Sequence, residues 1–389
     1  MNRPRQLVFC DHILVTPDRD AGSLRTFNLL RILVEHFTIT YLYRRPVPDA
    51  DIYRAQLESS GIRVVHDRTD QGIKPLTELF MDRPAPDVAI FARPEGAAIF
   101  MPRVIAEFIP RPTLIYDSVD LHFERFRSLQ TACLNDRRDR WKEWAAHFRR
   151  QEISYLGMET FAMRQADETW LISADEQKIV TDRGMTAHGI TRVVPLIQDP
   201  DPINQPFGLR RDLLFLGSFD HLPNLDAVRF HATRILPEFL LRGMPTRLRV
   251  FGAQCENIRE WGNASITIEG HAPDPRTPCG ECLAAFIPLV SGAGMKGKIA
   301  MSMAFGLPVI TTPFGAQGYK KAGDYMLIGS TPAELVDHVA RLQSDPLLWQ
   351  NLRDAGLAYI RDTLSRAAIA SLLEDILRSP ITAMPRGHC

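Results

Sequence analysis

Along the chain, short apolar runs of a strand's length alternate with stretches in which apolar residues return every three or four positions, as on a helix with one buried face. Leu7–Val15 predicts the first strand. Leu29, Leu30, Ile32 and Leu33 form the apolar stripe of a helix over Leu24–His36, with Ser23 placed to cap it. Further strands are predicted at Phe37–Tyr43, Ile62–Val65, Asp87–Ala92 and Thr113–Asp117, with helical patterns between them. A long charged helix is expected from about Asp136 to Arg164, followed by strand Glu168–Ile172, helix Ala174–Arg183 and strand Thr191–Val194.

The alternation stops between Pro195 and Gly208, where Pro195, Pro200, Pro202, Pro206 and Gly208 interrupt any period, a composition that reads as a linker. A second series then begins. Strands are predicted at Asp212–Gly217, Thr246–Phe251, Ser265–Ile268, Ala284–Val290 and Leu307–Thr312. Helices are predicted at Asn224–Leu241, Met295–Phe305, Pro332–Leu342, Leu347–Asp362 and Ala367–Leu377. Strand–helix alternation in both halves implies an α/β protein of two Rossmann-like domains, residues 1–205 and 206–365, with a last segment 366–389. Parallel sheets bind ligands at the carboxyl ends of their strands, so two facing domains imply a central cleft.

Composition narrows the functional classes. At 389 residues the chain suits two domains, and 45% hydrophobic residues argue against disorder. Lys plus Arg and Asp plus Glu both number 46, so no bulk charge draws the protein to nucleic acid or an anionic membrane. The local basic run Arg137-Arg138-Asp139-Arg140 with Arg149-Arg150 reads as the solvated face of a charged helix. No apolar run approaches the roughly 18 residues of a membrane span. The amino-terminal apolar stretch is interrupted by Asp11, His12, Asp18 and Asp20, which reads as a strand and not a signal peptide. The six cysteines have no framework spacing and suggest reduced thiols in the cytoplasm. Cys279-Gly280-Glu281-Cys282 is a single CxxC without the second pair a zinc site needs, so no metal is expected and Cys282 leads into a buried strand.

The sharpest feature is FIPLVSGAGMKGKIAMSMAFGLPVITT. A buried strand ends at Val290, Gly292, Ala293 and Gly294 form a tight turn, and a helix is expected to start near Met295. Backbone N–H groups at a helix start carry the positive end of its dipole, and small residues let a phosphate approach closely. Lys296 and Lys298 add positive charge, which suits a diphosphate both as ligand and as leaving group. Gly292, Gly294 and Gly297 also fit GxGxxG, but a dinucleotide site wants an acidic residue about 20 positions on, and none appears before Asp324. A purely packing role would explain the glycines and leave the lysines unaccounted for.

The run GAGMKGKIAMSMAFGLPVITTPFGAQGY resembles the donor-site segment of GT-B glycosyltransferases of the retaining group often called family four. FLGSFDHLPNLDAVRF resembles the first strand–loop–helix of that group's carboxyl-terminal domain. TPDRDAGSLRTFNLLRIL resembles its first glycine loop, and FARPE and YDSVDLHFER resemble segments of polysaccharide and O-antigen glycosyltransferases. The resemblance spans nearly the whole chain. It implies an acceptor domain followed by a nucleotide-sugar domain, with a final helix crossing back to the first. It also implies a nucleoside-diphosphate sugar as co-substrate with no further cofactor, retention at the anomeric carbon, and transfer without metal. Many relatives carry two glutamates eight positions apart in the donor loop, one for the sugar and one for the ribose. Here Ala293 and Met301 stand in those places, which opens the identity of sugar and base.

Candidate residues follow from the motifs and the resemblance. Lys296, Lys298 and the helix start at Met295 and Gly297 would stabilise the departing diphosphate, with Gly292, Gly294, Ser218, Gly22 and Ser23 as further phosphate contacts. An ordinary turn with a Ser cap is the alternative reading of Gly22 and Ser23. A histidine near His122 contacts the donor sugar in the resembling families, and a packed or capping histidine is the alternative. Asn224, Gln317, Ala293 and Met301 fall at the nucleotide or sugar; Asn224 also reads as a helix cap, and His221 as a further phosphate or base contact. Arg25, Glu95, Asp117 and Asp120 fall at the acceptor, with Glu95 also able to orient His122. Met303 and Phe305 read as core. The acceptor implied by the resemblance is a saccharide or lipid-linked saccharide, which would bring a cytoplasmic enzyme to the inner face of a membrane by loose attachment. A sugar-nucleotide epimerase, a non-catalytic sugar-nucleotide-binding subunit and, last, a nicotinamide enzyme stand as alternatives.

Overall fold

The computed structural model describes residues 4–69, 72–136, 141–187 and 189–378. The chain divides into two compact units. The first holds the chain to Phe123, Gln151–Ile197 and the chain from Ile369; the second holds Glu124–Arg150 and Gln198–Ala368.

In the first unit the strands are β1 (Arg5–Ile13), β2 (Phe37–Arg45), β3 (Arg63–His66), the short pair β4 (Arg68–Thr69) and β5 (Gly72–Ile73), then β6 (Val88–Ala92), β7 (Thr113–Asp117), β8 (Glu168–Leu171) and β9 (Thr191–Val193). The helices are α1 (Ala21–Leu33), α2 (Ala50–Ser59), α3 (Leu76–Leu79), α4 (Arg93–Glu107), α5 (His122–Asp136), α6 (Trp141–Gln165) and α7 (Ala174–Asp182), of which Glu124–Arg150 belongs to the second unit. Seven strands make one parallel sheet in the order β3-β2-β1-β6-β7-β8-β9. Every residue of β6 and β8 is buried, as expected of strands covered by helices on both faces. Helix α1 begins at Ala21 and not Leu24, because the cap is Asp20, whose carboxylate accepts from Ser23 N–H. The run Arg137–Arg140 lies outside the described residues, while Arg149 and Arg150 are exposed on α6.

The second unit contains β10 (Arg211–Leu216), β11 (Leu248–Phe251), β12 (Ile266–Gly270), β13 (Cys282–Ile287), β14 (Val309–Thr311) and β15 (Met326–Ile328). They form a six-stranded sheet in the order β12-β11-β10-β13-β14-β15, parallel throughout. Its helices are α8 (Leu222–Phe230), α9 (Leu236–Leu241), α10 (Arg276–Glu281), α11 (Gly297–Ala304), α12 (Pro313–Ala316), α13 (Pro332–Ser344) and α14 (Pro346–Tyr359); α15 (Arg366–Arg378), at the end of the described chain, belongs to the first unit from Ile369 on. The single helix predicted over Asn224–Leu241 is interrupted by a π turn at His231–Ile235. Pro237, which has no N–H to donate into the helix ladder, follows at once.

The proline-rich stretch after Pro195 is tied down and is not a free tether. Pro195 and Val194 offer their carbonyls to Arg25, while Gln198, Asp201 and Ile203 donate to the carbonyls of Leu364, Ala304 and Phe305. Helix α15 returns its apolar face to the first unit, where Ile369, Leu373 and Ile376 join the core made by Leu29, Leu33, Ile39 and Tyr41.

Candidate functional site

In each sheet the strand order reverses beside the first strand, and that reversal is where open α/β sheets gather ligands beyond the carboxyl ends of their strands. In the second unit the reversal lies between β10 and β13. The chain leaves β10 at Gly217-Ser218 and leaves β13 toward Ser291–Lys298, so the glycine loop falls at this point.

The loop's shape follows from its glycines. Gly292 has φ 121° and Gly294 φ 66°, both in the region that favours glycine. The turn delays the helix, so α11 starts at Gly297 with Lys296 as its cap residue, two positions after the expected start at Met295. No side chain caps this helix and no acid stands in its first turn, which leaves the positive end of its dipole uncompensated. Tyr319 Oη fixes the turn by donating to Lys296 O at 2.8 Å.

The two lysines behave differently. Lys296 Nζ bends back to the carbonyls of its own loop, Ala293 O at 3.1 Å and Gly294 O. Lys298 Nζ donates to Asn224 Oδ1 and stands 4.5 Å from the centre of the Phe215 ring. Asn224 is therefore not a cap: His221 precedes α8, and the Asn224 amide donates to Ser218 O at 2.7 Å while its oxygen holds the lysine. Burial, aided by Lys296 nearby, pulls the Lys298 ammonium down to about 7. A Cβ at Gly217 would stand 2.9 Å from Lys298 Nζ and 2.8 Å from the Asn224 amide nitrogen, so a side chain there would displace both. Gly252, at φ +150°, packs so closely on this point that a Cβ would fall 1.6 Å from Gly217 O.

Around this centre, Ser218 Oγ donates to Asp220 at 2.6 Å, and Gly292 N–H donates to Ser128 Oγ at 2.9 Å. Met295 is buried; Ala293, Met301 and Gln317 are half-buried, while Met303 and Phe305 lie in the core. Thus the second unit gathers Gly292–Lys298, Ser218 and Asn224 into one place. Phe215, Tyr319 and Gly252 belong with them and were not singled out from sequence. Phe215 opens the segment FLGSFDHLPNLDAVRF and Tyr319 lies inside the GAQGY motif, but nothing in the pattern marks Gly252.

In the first unit the reversal between β1 and β6 gathers Asp11, Gly22, Arg93 and Glu95. Arg93, at φ 62°, pairs with buried Asp11, and a Cβ at Gly22 would come within 3.2 Å of its guanidinium. Ser23 N–H is engaged by Asp20 at 2.8 Å, so its amide is not open to a phosphate. His122 stacks on Tyr155 with ring centres 5.2 Å apart, and its Nδ1 lies 3.1 Å from Asp120 O and 3.4 Å from Asp120 Oδ1. Tyr155 Oη donates to Glu95 at 2.6 Å. Burial works against ionising Glu95, but His122 and the Tyr155 hydroxyl outweigh it and hold the carboxyl below the usual range. Glu159 accepts the N–H groups of His122 and Phe123, anchoring the start of α5, and burial pushes its carboxyl well up.

Arg25 and Asp117 correct the expectation of an acceptor contact. Arg25 is 1% exposed and Asp117 0%, and they form a 2.7 Å ion pair. Arg25 Nε and Nη2 are taken by the carbonyls of Pro195 and Val194. With no exposed polar edge, the pair works as an internal tie. Cys279 and Cys282 are buried thiols pushed up to about 12 by burial, and Cys282 opens β13.

Residues 210–345 match the family described as glycosyl transferases group 1. Among curated proteins no sequence matches the chain. Solved structures match along almost the whole length. The Anabaena protein Alr3699/HepE, solved in complex with UDP, has a TM-score of 0.68 at 13% identity, covering 96% of this chain and 99% of its own. Sucrose-phosphate synthase from Thermosynechococcus elongatus gives 0.66 at 14% identity, covering 96% and 98%. A glycosyltransferase from Rickettsia africae gives 0.68 at 10%, covering 98% and 100%. The fold is that of the GT-B glycosyltransferases.

Proposed function

We propose that this protein is a retaining glycosyltransferase that moves a sugar from a nucleoside-diphosphate sugar to a hydroxyl of a saccharide or lipid-linked acceptor. The observation that carries the proposal is the Lys298 ammonium, held by Asn224 over Gly217 beside the uncapped start of α11. It stands within the segment that matches glycosyl transferases group 1. Such preorganised positive charge acts on the negative charge that develops as the diphosphate departs.

In the proposed reaction the bond from the anomeric carbon to the diphosphate oxygen breaks, and the acceptor oxygen bonds to the same face. The leaving oxygen takes the acceptor's proton, so no protein base and no metal is needed. Lys298 and the N–H groups of Gly297 and Lys298 receive the phosphate charge. Lys296 joins them by exchanging its loop carbonyls for phosphate oxygens, with Gly292, Gly294, Met295 and Ser218 forming the wall. Gln317, Ala293 and Met301 lie toward the nucleoside and sugar. From the first unit, Gly22 would approach the donor, His122 would meet the sugar, and Glu95 with Asp120 would face the acceptor. We place the enzyme in the cytoplasm, loosely attached at the membrane's inner face; no helix among the described residues is long and apolar enough to cross a membrane. Because Alr3699/HepE was solved with UDP and with UDP-glucose, uridine-diphosphate sugars are the first donors to test.

Replacing Lys296 and Lys298 together by alanine should abolish nearly all transfer while circular dichroism shows a folded protein. Retention of most activity would remove the assigned diphosphate site. A non-catalytic sugar-nucleotide binder is the second reading, favoured by Ala293 and Met301 where a carboxylate pair would grip the donor. Donor binding without turnover against any acceptor would select it.

A further inference from the structure

Ser128 lies on α5, in the part of that helix that belongs to the second unit. Hydroxyls on helices commonly donate to the carbonyl four residues back, as Thr131, Thr181, Ser302 and Ser344 do here. Ser128 does not. Its Oγ reaches out of the helix and accepts the Gly292 N–H at 2.9 Å, across 164 positions of sequence. A hydroxyl has one proton to give, and among the described residues no group accepts the one on Ser128. The residue is half-buried and not sealed in the core.

This contact has a packed support. Leu129 and Cys133 of α5 join Ala145 and Phe148 of α6 in an apolar cluster, with Phe126 and Leu222 packed against it. Leu222 opens α8, and the next residue, Pro223, comes within 3.8 Å of where a Cβ on Gly292 would stand. The same Cβ would be 3.6 Å from Lys296 Cε. Ser128, Pro223 and Lys296 thus surround one residue of the glycine loop, and the apolar cluster fixes the helix that carries Ser128. A hydroxyl held in this way has little freedom left to lose on binding. Accepting an N–H also polarises the hydroxyl and makes it a better donor. The uncapped start of α11 and the two lysines make the surroundings positive, so an oxyanion is the acceptor that the place favours.

We infer that Ser128 is a further ligand contact of the diphosphate site: its Oγ keeps the Gly292 N–H, and its proton goes to a phosphate oxygen of the nucleotide. The inference rests on the glycine loop holding the diphosphate, as proposed above. Isothermal titration of the full chain with UDP, ADP, GDP and TDP gives the dissociation constant of the tightest of them for the wild type, for Ser128→Ala and for the double variant Lys296→Ala with Lys298→Ala. Hydrogen exchange over residues 293–298 is followed in the nucleotide-free wild type and Ser128→Ala. Ser128→Ala should weaken binding about tenfold, the scale of a hydrogen bond to a charged group, while exchange over residues 293–298 stays as in the wild type. Weaker binding together with faster exchange there assigns the effect to pinning of the loop and overturns the direct contact. A loss under about threefold overturns it as well. Tighter binding by Ser128→Ala does the same, because the serine would then be occupying an amide that the phosphate takes. Failure of the site itself looks different. If the wild type binds none of the four nucleotides, or if binding survives the double lysine substitution, the diphosphate site is removed and the role of Ser128 with it. Binding that the lysine variant loses and Ser128→Ala keeps removes Ser128 alone.

Discussion

On the proposed reading, in which the donor's diphosphate binds at Lys298, the lowered pKa of that lysine makes binding a proton-linked event. With the ammonium near 7 in the free protein, roughly 0.1 of the molecules have lost its proton at pH 6 and about 0.9 at pH 8. A diphosphate beside Nζ favours the charged form and returns the pKa toward that of an ordinary lysine. Binding at pH 8 should therefore take up about 0.9 proton per site, against about 0.1 at pH 6, and the apparent affinity should fall about tenfold, or about 1.4 kcal/mol, between them. Isothermal titration of a nucleoside-diphosphate sugar, whose phosphates do not titrate over this range, in two buffers of different ionisation heat measures both quantities. Lys298→Met should bind weakly at every pH and take up no proton. Equal affinity at pH 6 and 8 with no proton uptake by the wild type would refute the reading of Lys298 as the diphosphate's cation. The stability of the unliganded protein carries the matching sign. The folded pKa lies below that of the unfolded lysine, so the destabilising charge is present below pH 7, and stability from this group rises between about pH 7 and 10.5.

Two further outcomes test the scaffold. Asp117→Asn leaves the Arg25 guanidinium buried without its carboxylate and should cost about 3–5 kcal/mol in urea unfolding; a cost below about 1 kcal/mol would remove the pair's role as an internal tie. Gly252→Ala drives a methyl group against Gly217 O and should lower stability by about 2 kcal/mol or more, with donor affinity falling as well because Gly217 seats Lys298 and Asn224; an unchanged melting curve would contradict the close backbone approach.

What could be read from the sequence was local. Strand Thr113–Asp117 was predicted to the residue, because an apolar run flanked by polar and proline positions specifies it. The turn glycines Gly292 and Gly294 both adopt positive φ, since a chain reversing between strand and helix in so few residues needs that freedom. Partnerships across sequence distance were not legible. Asn224 reads from sequence as either a helix cap or a ligand contact, and only folding brings it to Lys298, 74 positions away. Arg25 next to a glycine turn looks like a ligand contact, but its partner Asp117 arrives from 92 positions on. Strand β15 has three residues, too few to show a period. The cap of α1 was misassigned because Asp20 and Ser23 both suit the position, and the choice depends on where the backbone becomes extended, which it does at Asp20.

Helix α15 has a consequence for how the protein is made. Ile369, Leu373 and Ile376 complete the first unit's core, yet they are translated after the whole of the second unit. Domains ordinarily fold in the order of their synthesis. Here the second unit has all its residues outside the ribosome first, and the amino-terminal unit waits with an apolar surface open over Leu29, Leu33 and Tyr41. A chain stopped after Ile197 would carry that surface permanently, so premature termination yields a product marked for aggregation or chaperone capture and not a functional half.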